Sequence, residues 1–159
     1  MKHIKLFNES QYWGEKGAGI LPICKKTKRL LIPFRSGYVF EPFTWGVWGG
    51  KIDLGVDDEF ERTHSVDASV EHAAQREFVE ETEYEGSIHL IPAYVYRDGD
   101  FAYHNFFGLV DYEFEPVLNW ETDSYKWMTY EDLQVLPKKH FGLVALLKNS
   151  GKELESLLR

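Results

Sequence analysis

An α/β fold with a mixed sheet between helices is the architecture this sequence predicts, and three observations carry it. Runs rich in β-branched and aromatic residues recur between short polar turns. Between two groups of such runs, residues 69–82 read as one helix with an acidic face. After a last strand, the chain returns to helical spacing at its C-terminal end. Neither an internal repeat nor a low-complexity linker interrupts this order, so residues 1–159 are expected to form a single domain.

The elements follow in sequence. Residues 18–24 and 30–34 read as strands joined by the polar turn Lys25-Lys26-Thr27-Lys28. Residues 45–48 suggest a short strand running into a turn at Gly49-Gly50. Ser69 is placed to cap the acidic helix, because its hydroxyl can accept from an orphan backbone N–H. Gly86 is the expected stop after that helix. Residues 88–96 and 101–110 should be antiparallel strands around Arg97-Asp98-Gly99-Asp100, where Asp-Gly favours a tight turn. Residues 125–128 form a further strand. Thr129 then starts a short helical turn, and residues 140–148 and 152–158 read as two closing helical segments.

Composition narrows the function classes. A hydrophobic content of 43% with 16% aromatics excludes disorder. The N-terminal stretch has no apolar run, and nothing approaches the ~20 apolar residues of a membrane span, so neither a secretory leader nor a membrane is expected. Cys24 is the only cysteine, which excludes an internal disulfide and suits a reducing cytoplasm. The net charge of −8 opposes binding to nucleic-acid polymers. Small phosphates remain compatible with it when metal ions bridge the two.

The segment Glu71-His72-Ala73-Ala74-Gln75-Arg76-Glu77-Phe78-Val79-Glu80-Glu81-Thr82 is the most informative. With Glu77 at zero, Glu80 falls at about −60° and Glu81 at about +40° around the helix axis. Like charges so spaced repel by roughly 0.2–0.5 kcal/mol per pair. A hard divalent cation reverses the sign of that interaction, since it takes clustered carboxylate oxygens.

These residues resemble the Nudix family, whose box is written G-x5-E-x7-R-E-U-x-E-E-x-G-U with U a bulky aliphatic residue. Here "WGGKIDLG" precedes an interruption and then "SVEHAAQREFVEETEY", which matches REUxEE with Phe78 as U. The wider likeness runs from "GAGILPI" and "RLLIPFRS" to "NWETDSYKWMTYEDL". Two departures stand out. Gly50 and Arg76 are separated by twenty-five residues, twelve more than the box spans, most simply placed at 56–67. The first box Glu is displaced, and Asp57 or Asp58 is the expected replacement reaching Arg76. The box Gly near the helix end is Glu83.

The resemblance implies an α/β/α sandwich and a pyrophosphohydrolase that uses Mg2+ or Mn2+ on a small nucleotide-like diphosphate. By position it implies metal ligation by Glu77, Glu80, Glu81 and the carbonyl of Gly49, with Arg76 orienting a carboxylate through a bidentate pair. It also implies a loop acid as a further metal ligand or general base. Glu121, six residues before Trp127, is the candidate, with Asp123, Glu113 and Glu115 as rivals. Glu77, Glu121 and Arg76 thus form the expected catalytic group, and Trp48, Lys51 and Arg35 the expected substrate contacts. The six histidines show no ligand spacing. Trp45, Trp48, Tyr103 and Phe106 could stack on a nucleobase, Trp48 best of them because it immediately precedes the glycine pair, but aromatics are first of all core material. The isomerase branch of the family uses a cysteine just ahead of the box, and residues 44–50 contain none. A catalytically inactive nucleotide-binding module is the alternative. Oligomeric state stays open, a homodimer included.

Overall fold

The computed structural model describes residues 16–52 and 66–159. Its sheet is assembled on β1, Lys16–Cys24. β2, Leu30–Arg35, returns antiparallel after the turn at 25–28, where the Lys28 N–H donates to the Cys24 carbonyl at 2.8 Å. β5, Phe101–Val110, runs parallel to β1 along its whole length, from Lys16↔Ala102 to Cys24↔Val110. β4, His89–Asp98, pairs antiparallel with β5, and β6, Thr122–Met128, pairs antiparallel with β2. The order is β4-β5-β1-β2-β6, with β3, Trp48–Lys51, lying off this path on β1. Because β5 occupies one edge of β1, β2 and β3 share the other. β2 pairs near the C-terminal end of β1 and β3 pairs with its start. The sheet therefore divides beside β1, and that division positions the site.

Each face of the sheet carries its own apolar core. Helix α1, Val66–Thr82, packs Val70, Ala73, Ala74 and Phe78 onto Ala18, Ile20, Trp48 and Phe106. On the opposite face, Leu21, Ile23, Ile32 and Phe107 meet Leu133 of α2, Tyr130–Val135, and Leu143, Leu146 and Leu154 of α3, Phe141–Leu157. The alternation of strand side chains produces this division, with Ala18 and Ile20 pointing one way and Leu21 and Ile23 continuing on the other side. The mixed sheet between helices is thus the architecture expected.

Several element boundaries differ from expectation for local reasons. Gly49 and Gly50 are not a turn after a strand but the middle of β3, paired with Gly19 and Ala18. Trp45, expected in that strand, makes only isolated bridges to Phe34 and Lys139. Ser69 does not cap α1, which begins at Val66; it is a buried residue inside the helix. Gly86 is not the helix stop either. The chain leaves α1 through Glu83, whose φ of 55° is left-handed, while its N–H still donates to the Val79 carbonyl at 2.8 Å.

At the C-terminal end, Thr129 caps α2 as expected, accepting from the Asp132 N–H at 3.1 Å. The two closing segments are one helix bent at Ser150 (φ −120°, ψ 18°), whose hydroxyl accepts from the Tyr94 N–H of β4 at 3.0 Å. None of the described helices is long and apolar enough to cross a membrane.

Candidate active site

Glu77 and Glu81 sit one turn apart on α1 and face β3, and each is only 4% exposed. Burial of a carboxylate is costly unless donors compensate it. The backbone N–H of Gly49 supplies one such donor, at 2.9 Å from Oε1 of Glu81. Gly50 supplies room, since a Cβ there would stand 2.8 Å from the Glu77 carboxyl carbon. Arg76 donates through Nη1 to Oε1 of Glu77 at 3.1 Å and to Oε1 of Glu80 at 3.2 Å. Its Nη2 also approaches the Lys51 carbonyl at 3.4 Å. Among the described residues, Arg76 therefore joins two carboxylates to the edge strand. The Glu80 side chain is 42% exposed beside that guanidinium.

Across the division in the sheet stands Arg35, at a β-bulge where β2 ends. Its Nε donates to the Glu41 carbonyl at 3.2 Å and its Nη2 to the Phe40 carbonyl, which ties the 36–44 loop to the strand. Burial pulls the Arg35 pKa down, while Tyr103, Glu81, Glu41 and Glu121 push it back up. The guanidinium remains a cation. Glu121 enters the same space from the start of β6; its carbonyl accepts from the Ser36 N–H at 2.9 Å and its own N–H donates to the Asn119 side chain at 2.9 Å. Burial, followed by the charge of Glu81, drives the Tyr103 phenol strongly upward, so it keeps its proton. His140 caps α3 through Nδ1, which accepts from the Gly142 N–H at 3.0 Å. Burial and then Arg35 push its pKa down to about 4. Its Nε2 lies 3.5 Å from Glu41.

These groups surround a cleft of about 480 Å³. Gly49, Gly50, Lys51, Glu81, Arg35 and Glu121 form its polar lining. Part of the remaining wall is aromatic. Phe101 neighbours Tyr103 (ring centroids 6.4 Å apart) and Tyr96 (6.5 Å), Tyr96 neighbours Phe141 (5.5 Å), and Phe141 stacks on His140 (4.5 Å).

The structure thus brings together Gly49, Lys51, Glu81, Arg35 and Glu121, with Glu77 directly behind Gly50 and joined to Arg76. Trp48 requires correction as a substrate contact. Its ring is fully buried, it donates to the Leu31 carbonyl at 3.1 Å, and it packs edge-on against Phe78. Strand alternation explains this, because Trp48 and Gly50 point toward α1 while Gly49 points toward the cleft. Among the rivals of Glu121, Glu113 is held in a two-pronged pair by Arg29 at 2.7 and 2.5 Å. Neither Asp123 nor Glu115 lines the cleft. Asp57 and Asp58, expected to reach Arg76, fall at positions 53–65, outside the described residues.

Sequence reasoning set Tyr103 down as core material before a stacking role, and gave His140 no role. The signal for Tyr103 was the alternation Phe101, Tyr103, Asn105 on β5, all three of which line the cleft. For His140 it was the position directly before a helical run.

The donor set around Gly49 is all oxygen and suits a hard divalent cation. Among the described residues, no three carboxylate, imidazole or thiolate groups are already gathered for one ion. Arg76, lying between Glu77 and Glu80, accounts for part of that spacing.

A family model described as NUDIX domain matches residues 15–148. No curated protein sequence matches the chain. Among solved structures, the chain is similar to a Nudix hydrolase from M. smegmatis, RenU, at 17% identity and TM-score 0.66, covering 92% of this chain and 87% of that one. It is similar to the NUDIX domain of Shewanella oneidensis NrtR complexed with ADP ribose, at 18% identity and TM-score 0.66, covering 97% and 99%. It is also similar to a C. elegans Ap4A hydrolase, at 20% identity and TM-score 0.59, covering 89% and 98%.

Proposed function

The chain belongs to the NUDIX domain family, which supports a pyrophosphohydrolase, and we propose that it cleaves the pyrophosphate bond of a nucleoside diphosphate linked to another moiety. The observation that carries this reading is the pair Glu77 and Glu81, buried against Gly49 and Gly50 beside the cleft. Glu77, Glu80, Glu81 and the Gly49 carbonyl would hold Mg2+ or Mn2+. The chemistry a bound cation supplies is charge neutralisation on the diphosphate and acidification of water.

The chain's own residues account for the rest. Arg35 and Lys51 present positive charge to the phosphates from the polar end of the cleft. Arg76 steadies Glu77, which removes one route by which its carboxylate would turn away. Glu121 faces the same space and is placed to take the proton from attacking water as general base. The aromatic wall of Phe101, Tyr96 and Phe141 supports a flat base on the substrate, since stacking on such a face contributes ~1–3 kcal/mol per base. The work belongs to the cytoplasm, in keeping with the single cysteine.

A second reading, a nucleotide-binding module without turnover, draws on the hold of Arg76 on both Glu77 and Glu80. One assay separates them. Nucleoside triphosphates, ADP-ribose, dinucleoside polyphosphates, NADH and sugar nucleotides are incubated with Mg2+ or Mn2+, and nucleotide release is followed. Metal-dependent release from at least one substrate supports the hydrolase. Binding of ADP-ribose with no release from any of them supports the module.

A further inference from the structure

We infer that the Tyr103 hydroxyl is a substrate contact of this site, donating a hydrogen bond to a phosphate oxygen of the bound diphosphate. The inference rests on the pyrophosphohydrolase reading above and begins from three glycines. A Cβ on Gly17 would stand 2.6 Å from Cδ2 of Tyr103, and a Cβ on Gly19 or on Gly49 would stand 2.3 Å from its hydroxyl oxygen. Real Cβ atoms do not approach so closely, so β1 and β3 give up side chains at three positions where this ring lies against them. The register agrees, because Gly17 pairs with Tyr103 across the parallel ladder and Gly19 pairs with Gly49 across the antiparallel one.

The ring is long enough to carry its oxygen to Gly49, the residue whose N–H holds Glu81. Glu81, Arg35, Glu77 and Glu121 are the charged groups whose fields reach it. Packing alone would be served by phenylalanine, since the glycine floor accommodates the ring. The hydroxyl makes no hydrogen bond to protein among the described residues, and Tyr103 lines the cleft. A donor at that point would meet a diphosphate bound in the cleft beside Gly49. Hydrogen-bond donors aimed at developing oxyanion charge are worth about 100–1,000-fold in rate.

Tyr103→Phe keeps the ring and removes only the donor. It is measured on whichever of ADP-ribose, a dinucleoside tetraphosphate and NADH the wild type cleaves best with Mg2+. The expected result is a fall in kcat/KM of at least about 10-fold, with Tm unchanged. A kcat/KM within twofold of wild type overturns the inference while leaving the hydrolase reading intact. Should the variant melt lower, its affinity for α,β-methylene-ADP with Mg2+, measured in the cold where it is folded, decides the same question. Weakened binding supports the contact, and an unchanged Kd overturns it. Wild type that neither cleaves nor binds any of these compounds overturns the hydrolase reading and this inference together.

Discussion

The backbone N–H of Gly49 donates to the Glu81 carboxylate at 2.9 Å, joining an edge strand to a helix thirty-two residues away in sequence. The same residue also lies tight against β1, where it pairs with Gly19. A Cβ at Gly49 would stand 2.3 Å from the Ala18 carbonyl and 2.5 Å from the Gly19 Cα. Gly49→Ala should therefore destabilise the protein by about 3 kcal/mol, at the upper end of overpacking costs. Gly46→Ala, whose added carbon would meet the Arg35 side chain at 3.4 Å and the His140 Cβ at 3.8 Å, should cost little. Urea denaturation of the two variants checks the contrast, and equal midpoints would show that β3 shifts freely.

The exit from α1 offers a gain in stability. Glu83 holds φ 55° where a glycine would be unstrained. Left-handed backbone costs an ordinary residue roughly 1–2 kcal/mol, and the greater freedom of glycine in the unfolded chain returns part of it. Glu83→Gly should raise stability by ~0.5–1 kcal/mol. A lower urea midpoint would show that the carboxylate contributes more than its backbone strain costs.

His140 makes stability depend on pH. Its folded pKa of about 4 lies below the usual value of 6.5, through burial first and the charge of Arg35 second. The unfolded chain therefore binds more protons between those two values, and stability falls as pH drops from 6.5 toward 4. The loss attributable to this group is roughly 2–3 kcal/mol across that window. His140→Asn keeps a capping acceptor for the Gly142 N–H and cannot titrate. The wild type should lose more stability than the variant between pH 7 and pH 4.5, measured by denaturation at each pH. Parallel slopes would place the titration elsewhere.

The aromatic wall should govern affinity more than rate. Phe101→Ala with Tyr96→Ala removes two neighbouring rings, 6.5 Å apart, without touching the acids. Stacking losses of ~1–3 kcal/mol per base predict a KM raised at least about tenfold on a nucleotide substrate, with kcat held within a few-fold. A fall in kcat at constant KM would mean that the wall serves the reacting end.

Much of this fold was legible because its signals are local. The run from Phe101 to Val110 matches β5 residue for residue, and Thr129 caps α2 through its own side chain. Glu77 and Glu81 were legible as one face of a helix. What the sequence concealed depends on contacts between distant strands. Helix periodicity put Glu80 on the same face, but it does not show that Arg76 takes Glu80 outward while Glu77 goes inward. Trp48 read as a stacking residue because it precedes two glycines, yet its side depends on the pleat of β3 and its pairing with Ile20. Tyr103 read as core because nothing local marks the glycines of β1 as its floor.

The central claim is that Glu81, held by Gly49, does the work of a divalent-metal pyrophosphohydrolase. Glu81→Gln keeps an oxygen that accepts from the Gly49 N–H and removes one charge from a buried pair, so Tm without metal should stay level or rise. The decisive measurement is the Mg2+-dependent turnover of this variant, on the substrate the wild type cleaves best. The account predicts that turnover is abolished in a protein that still folds, and activity within a few-fold of wild type would contradict it.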